Sequence, residues 1–294
     1  MAKRIIYSAG NRIGSELQLS RFLKNINKDY ELKIAGYVKS TYNITRVDWL
    51  LNSAHKRKIS NEIFINTAYN SEVIENILKD VIEFGPDLII SDNEHIFGYI
   101  ANEIEVPLWY CSPLNLIDGI DFGNRSIYSY FYFKFGKRYK LPQAERYLIY
   151  SPFCDIKNSP KLKNGYEWVR PYYEDSLNYS IEEIERRSKF DKINRYIEYK
   201  DDYTFTDGHT DIISDSFYNN KKIIIVPSID NVESLLNGEL VDRYNIGYNL
   251  GQVELMEMLA IEQIEKTYNG KYNEIELNNK DNLQLHEMID NFAT

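Results

Sequence analysis

Cysteine, histidine and uninterrupted apolar sequence are all scarce in this 294-residue chain, and each shortage removes a class of function. Two cysteines, Cys111 beside Ser112-Pro113 and Cys154 in Ser151-Pro152-Phe153, form neither a disulfide framework nor a metal-ligand spacing, so both read as buried packing residues. His55, His95, His209 and His286 are scattered and close no ligand shell, and no metal is expected. Apolar runs such as Leu88–Ile90 and Ile223–Pro227 fall far short of the ~20 residues of a membrane span. Met1-Ala2-Lys3-Arg4 leads into only a few apolar residues, without the core or cleavage site of a secretion signal, so a cytoplasmic protein is expected. Positive charge is also short: 35 Lys and Arg against 44 Asp and Glu leave a net charge of -9, without the overall basic footprint of most DNA-binding modules. Local basic patches remain allowed.

What is abundant is core material, since 43% apolar residues with 14% aromatic can fill two ordinary domains. Tyrosine is heavily used, at 25 residues, and with frequent Asn, Ile and Lys this resembles the product of an AT-rich genome such as that of a bacterial virus. No fixed-period repeat or low-complexity tract is visible.

Lys3–Ala9 reads as a buried first strand, ended by the loop Gly10-Asn11-Arg12-Ile13-Gly14. A helix should follow with Ser15 as its N-cap, carrying Leu17, Leu19, Phe22, Leu23 and Ile26 broadly on one face. Tyr30–Val38 suits a second strand, and strand, loop, helix, strand is a βαβ unit that predicts a parallel sheet. Ser71–Phe84 places Val73, Ile74, Ile77, Leu78, Val81 and Ile82 at helical spacing, and Gly85-Pro86 stops it. Asp87–Ser91 is then a buried strand ending in Asp92-Asn93-Glu94, followed by a helix over Ile96–Ile104 and a strand over Leu108–Cys111. Tyr147–Ser151 and Trp168–Pro171 read as further strands, giving a doubly wound first half.

Between them, Tyr128–Tyr147 interleaves aromatic rings with Lys134, Lys137, Arg138 and Lys140. Such a stretch is either an amphipathic packing element or a surface for a flat, anionic acceptor, held by stacking and phosphate neutralisation. Glu174–Asp202 is polar and helical in pattern. Alternation then resumes with a strand at Tyr203–Thr206, a helix at Thr210–Asn219, a strand at Lys222–Val226 and a helix at Val232–Tyr244. A last helical pattern covers Asn279–Phe292.

The strongest local signal is Tyr203-Thr-Phe-Thr-Asp-Gly-His-Thr-Asp-Ile-Ile-Ser-Asp, a strand that turns through Asp207-Gly208-His209 into a helix. The first turn of a helix offers unpaired N–H groups and partial positive charge, a ready phosphate site. Gly208 permits close approach of a diphosphate, while His209 and Thr210 add donors; alternatively Asp207 or Thr210 only caps the helix. The second turn, after Ile223–Val226, opens the helix containing Glu233, Ser234 and Asn237 at the same sheet edge, where α/β proteins bind ligands. Glu233 there can bind ribose hydroxyls or simply stand solvated in a first turn. Gly10–Gly14 is not a Gly-x-Gly-x-x-Gly fingerprint and lacks Lys-Ser/Thr, which disfavours a dinucleotide dehydrogenase or P-loop nucleotidase.

Thr206-Asp-Gly-His-Thr, Lys222-Ile-Ile-Ile-Val-Pro with Glu233 and Asn237, and Tyr244-Asn-Ile-Gly-Tyr-Asn-Leu together resemble the donor half of GT-B glycosyltransferases. Ser8-Ala-Gly-Asn-Arg-Ile-Gly-Ser-Glu and Gly85-Pro-Asp-Leu-Ile-Ile-Ser-Asp are similar to that family's first domain. The resemblance covers most of residues 3–120 and 145–250. It implies an α/β protein of two facing Rossmann-like domains with a shortened C-terminal domain: residues 1–170 for the acceptor, 171–278 for the nucleotide sugar, and 279–294 as a helix returning to the first domain. It further implies a hexosyl- or pentosyltransferase with no cofactor beyond a UDP-sugar co-substrate, Gly208–Thr210 on the diphosphate and Glu233 on the ribose.

Three positions depart from the pattern: Ser234 stands where Gln is usual, Gly238 where Ala is usual, and Ser15-Glu16 where the first loop carries a histidine. An alcohol acceptor still needs a base, and Glu16 and Asp92 are the candidates. Arg12, Gly14, Ser15, Lys134, Lys137 and Arg138 are the candidates for phosphate and acceptor contacts. T-even-type phages carry enzymes of this family that glycosylate hydroxymethylcytosine, which makes phage DNA the first acceptor to consider. A small molecule, cell-wall precursor or polysaccharide is the second, and a non-catalytic nucleotide-sugar-binding module the third reading.

Overall fold

The computed structural model describes residues 3–10, 13–27, 29–37, 47–51, 72–112, 114–120, 142–156, 158–172, 203–227, 231–249 and 282–293. Among them no helix is long and apolar enough to cross a membrane. The chain divides into two compact units, one of Met1–Tyr150, Lys161–Val169 and Leu283–Thr294, the other of Ser151–Pro160 and Arg170–Asn282.

The first unit is built on a parallel sheet. Its strands are β1 (Arg4–Ala9), β2 (Glu31–Tyr37), β3 (Trp49–Leu51), β4 (Leu88–Asp92), β5 (Leu108–Cys111), β6 (Arg146–Tyr150) and β7 (Tyr166–Val169), in the order β3-β2-β1-β4-β5-β6-β7. Ile5 pairs with both Leu32 and Leu88, and Ala9 with Asp92, so β1 is central and its end lies beside the end of β4. Parallel strands covered on both faces must be continuously apolar, and β4 is buried at every position.

Helix α1 (Ile13–Asn25) follows β1, burying Leu17, Leu19 and Phe22, with the Phe22 ring 5.1 Å from that of Tyr7. Its start corrects the sequence reading: Gly14 and Ser15 lie inside the first turn, not in a loop and at a cap. Helix α2 (Glu72–Phe84) buries Ile74, Ile77, Val81 and Phe84 but leaves Ile82 59% exposed. Ile82 follows Val81 by one 100° step and so leaves the buried stripe, contrary to its expected place on that face. Gly85, at φ +60, ends the helix by donating its N–H to the Val81 carbonyl at 3.0 Å.

Helix α3 (Ile96–Glu103) connects β4 to β5, and α4 (Leu114–Gly119) follows β5. The short strand β3 and α4 carry too few residues to show a period, and the sequence reading has neither.

Residues 151–160 belong to the second unit, where Pro152–Asp155 form a short 3-10 turn. Phe153 meets Phe217 edge-on at 6.1 Å, the Tyr218 hydroxyl donates to Asp155, and Asn282 donates to the Cys154 carbonyl at 2.8 Å. The second unit's sheet has the order β10-β9-β8, all parallel, from β8 (Tyr203–Thr206), β9 (Lys222–Ile225) and β10 (Gly247–Asn249). Helices α5 (Thr210–Tyr218) and α6 (Val232–Tyr244) follow β8 and β9, a repeated strand–turn–helix whose turns share one edge.

The final helix α7 (Leu285–Ala293) belongs to the first unit. Lys3 donates to the Phe292 carbonyl at 2.9 Å, Phe292 meets Trp109 edge-on at 5.3 Å, and the Tyr30 hydroxyl donates to Asp290 at 2.6 Å. It begins six residues after the expected Asn279. Residues 279–281, the aromatic–basic stretch 128–141 and the polar segment 174–202 lie outside the described residues.

Candidate functional site

In the second unit, the turns after β8 and β9 are tied to each other. Gly208 has φ +96, where an L side chain is strained, and an added Cβ would lie 2.8 Å from both the Ser234 Cα and its carbonyl oxygen. Glycine is therefore required twice over, by conformation and by the close approach of α6. Its N–H donates to Thr206 Oγ1 at 3.0 Å. The Ser234 hydroxyl donates to the Asp207 carbonyl, and the Asn237 amide donates to the Gly208 carbonyl at 2.8 Å and to Thr210 Oγ1 at 3.1 Å. Ser234 and Asn237, both fully buried, thus hold the turn from the neighbouring helix.

The cap of α5 comes from elsewhere in sequence. His209 occupies its N-cap position with extended backbone but makes no side-chain cap. Instead Glu233 Oε1 accepts the Thr210 N–H at 3.0 Å, whereas α6 is capped locally by Asn231, whose Oδ1 accepts the Glu233 N–H at 3.1 Å. The sequence-based alternatives of Asp207 or Thr210 as side-chain caps are not realised.

His209 is half-buried, with Nε2 3.3 Å from Asp207 Oδ2. Burial alone would lower its pKa, but the Asp207 hydrogen bond and the charges of Glu233, Asp207 and Asp211 outweigh that and raise it from 6.5 to about 9. At neutral pH the ring is an imidazolium at the helix start. The buried Asn237 Oδ1 has no hydrogen-bond partner among the described residues.

In the first unit, a second cluster gathers where β1 and β4 end. Asp92 is 6% exposed and accepts from the Tyr7 hydroxyl at 3.1 Å and the Ser15 hydroxyl at 3.2 Å. The Gly10 N–H donates to the Asp92 carbonyl at 2.7 Å, and a Cβ on Gly10 would lie 2.5 Å from the Asn93 carbonyl oxygen. Gly14, by contrast, has nothing within 4 Å of an added Cβ, so no close approach requires it. Glu16 is half-buried in the first turn of α1.

Two further residues belong to this edge and escaped the sequence reading. Buried Glu94 accepts from the Ser8 hydroxyl and from the N–H groups of Ile96 and Phe97, which makes it the cap of α3. His95 Nδ1 lies 3.1 Å from the Tyr110 hydroxyl, with the rings stacked at 6.0 Å. Burial pushes the Tyr110 phenol far above its ordinary range, so it stays neutral beside the imidazole. The run Asp92-Asn-Glu-His at a strand end was the available signal; only the pairing of β4 with β5 brings Tyr110 to it.

The structure brings Asp207, Gly208, His209, Thr210, Glu233, Ser234 and Asn237 together in one unit, and Ser15 with Asp92 in the other. Arg12, Lys134, Lys137 and Arg138 lie outside the described residues.

No protein-family model matches the sequence, and no curated protein matches it. Solved structures do match, and many of them are glycosyltransferases. MurG of Acinetobacter baumannii superposes with a TM-score of 0.57 at 7% identity, over 99% of this chain and 98% of that one. The Streptomyces nogalater glycosyltransferase SnogD gives a TM-score of 0.53 at 12% identity, over 100% and 99%. Phytolacca americana UGT2, complexed with UDP-2-fluoro-glucose and pterostilbene, gives 0.50 at 9% identity, over 84% and 85%. At such identities the likeness is one of fold.

Proposed function

We propose that this chain, which has the GT-B fold of those neighbours, transfers a sugar from a nucleoside diphosphate sugar to an acceptor hydroxyl. The observation that carries the reading is the 206–210 turn. A glycine in left-handed conformation, a charged histidine and a helix start meet at the carboxyl end of a parallel strand, the arrangement that suits a diphosphate. A UDP-sugar is the donor to try first, since UGT2 was solved with one.

In the reaction the acceptor oxygen forms a bond to the anomeric carbon while the bond to the diphosphate breaks and its electron pair leaves with the phosphate. The imidazolium of His209 and the first amides of α5 stabilise that charge. The acceptor proton passes to a base, for which Glu16 in the first turn of α1 and Asp92 and His95 at and after the end of β4 are the candidates. Asp92, with both oxygens engaged by hydroxyls, is better placed to orient than to accept a proton.

Hydroxymethylcytosine in DNA is the first acceptor on our reading, because the aromatic–basic stretch from Tyr128 suits a flat base beside phosphates. A small hydroxylated molecule is the second, favoured by the pterostilbene held by UGT2. The test is to incubate the protein with a panel of UDP-sugars and either hydroxymethylcytosine DNA or a phenolic acceptor, then weigh the products by mass spectrometry. An added sugar on one acceptor class identifies it. UDP-sugar that binds but is neither transferred nor hydrolysed would leave a non-catalytic binding module, and absence of binding would end the proposal.

A further inference from the structure

Glu233 is already in the place that a donor phosphate needs. Its carboxylate accepts the Thr210 N–H at 3.0 Å, and α5 draws no cap from its own N-cap residue. A carboxylate and a phosphate oxygen compete for the same helix-start amide, because both are anionic acceptors drawn to the same partial charge. We infer that Glu233 is a resident anion of the donor site, bound to the α5 start in the empty protein and displaced from it when the donor's diphosphate binds.

Three observations within the second unit support the exchange. First, the neighbourhood is already rich in negative charge: Asp207, Asp211 and Glu233 all act on the single imidazolium of His209. A diphosphate arriving with Glu233 still in place would add to that excess, so withdrawal of this one carboxylate relieves it. Second, the other supports of the turn do not depend on Glu233. Ser234 holds the Asp207 carbonyl, Asn237 holds Gly208 and Thr210, and Asn231 caps α6, so the frame persists when the carboxylate leaves. Third, Asn237 is fully buried and spends its amide N–H groups on the turn, while its Oδ1 has no partner among the described residues. That oxygen accepts only, so it is completed by a donor such as a water or a hydroxyl of the nucleotide sugar and leaves the α5 amide, not Asn237, to the phosphate.

The inference rests on the donor-site reading and is tested separately from it. Inorganic pyrophosphate is titrated calorimetrically into the unmodified protein, Glu233→Gln and Glu239→Gln. The glutamine at 233 keeps the shape and an acceptor oxygen but removes the charge. Glu239→Gln removes the same charge elsewhere on α6. Pyrophosphate should bind Glu233→Gln about fivefold more tightly than the unmodified protein, the order of one charge-assisted cap, and Glu239→Gln should change affinity less than twofold. In the unmodified protein the Glu233 carboxyl carbon resonance should move as pyrophosphate is added.

Equal or weaker binding by Glu233→Gln, an equal gain in Glu239→Gln, or an unmoved carboxyl resonance would overturn the inference, while a UDP-sugar still transferred would leave the proposed function standing. Failure of every form to bind pyrophosphate and UDP would remove both.

Discussion

Replacing Gly208 by alanine is the sharpest test of the turn after β8. The backbone there has φ +96, and a Cβ would sit 2.8 Å from the Ser234 Cα and carbonyl oxygen and 3.0 Å from its hydroxyl oxygen. Two costs combine: placing a Cβ at positive φ costs about 1–2 kcal/mol, and forcing it against packed backbone costs about 1–3 kcal/mol. The obstacle is α6 backbone, not a swinging side chain. It is fixed to the turn by Ser234 on the Asp207 carbonyl and Asn237 on the Gly208 carbonyl, so relief by movement would break those bonds.

Gly208→Ala should therefore destabilise the second unit by about 3 kcal/mol and open the α5 amides to exchange. The assay is hydrogen exchange of the α5 amides under mild denaturant, paired with UDP titration. Gly14→Ala is the control, since nothing lies within 4 Å of its added Cβ and the residue is helical. There alanine should be neutral or stabilising by about 0.5–1 kcal/mol. Unchanged α5 protection in Gly208→Ala, or an equal loss in Gly14→Ala, would refute the reasoning.

Other expectations follow from the same geometry. The His209 pKa rises from 6.5 to about 9, so any stability it contributes is full below pH 6.5 and disappears as pH climbs through 9. UDP affinity, if His209 meets phosphate, should stay level from pH 7 to 8 and fall across pH 9, and a calorimetric pH series on His209→Gln should lack that fall. Asp92→Asn keeps the shape of a residue that takes two hydroxyl bonds, so the protein should fold; if Asp92 orients the acceptor side as proposed, transfer measured by UDP release should fall about 10- to 100-fold through misplacement. On α2, Ile77→Ala should cost about 2–4 kcal/mol and Ile82→Ala under about 0.5 kcal/mol in urea unfolding, because only Ile77 is buried.

Much of the fold was legible in the sequence because its signals are local. Val232–Tyr244 and Tyr203–Thr206 match the observed elements at both ends, since Asn231 caps one and the Asp-Gly turn closes the other. Ser15 has the residue type of a cap, but it lies inside the first turn of α1 and its hydroxyl is committed to Asp92, a partner 77 residues away. Strand β3 has only three residues and therefore no legible period, and it is defined by pairing with Ala35–Tyr37. The candidate residues at 207–210 and 233–237 were legible as two turns at one sheet edge. Their mutual bonds were not, because nothing in the spacing says that a residue of α6 caps α5.

The amino-acid order alone determined the parallel α/β character, since alternating buried strands and amphipathic helices with glycine stops depend on neighbours a few residues apart. It also marked Gly208 and His209 as unusual. Tertiary structure decided which carboxylates are buried, that Glu233 occupies the α5 amide, that His209 stays charged, and that Tyr110 meets His95. Those outcomes depend on which strand ends lie side by side, and burial and charge act through space at distances that chain spacing does not encode.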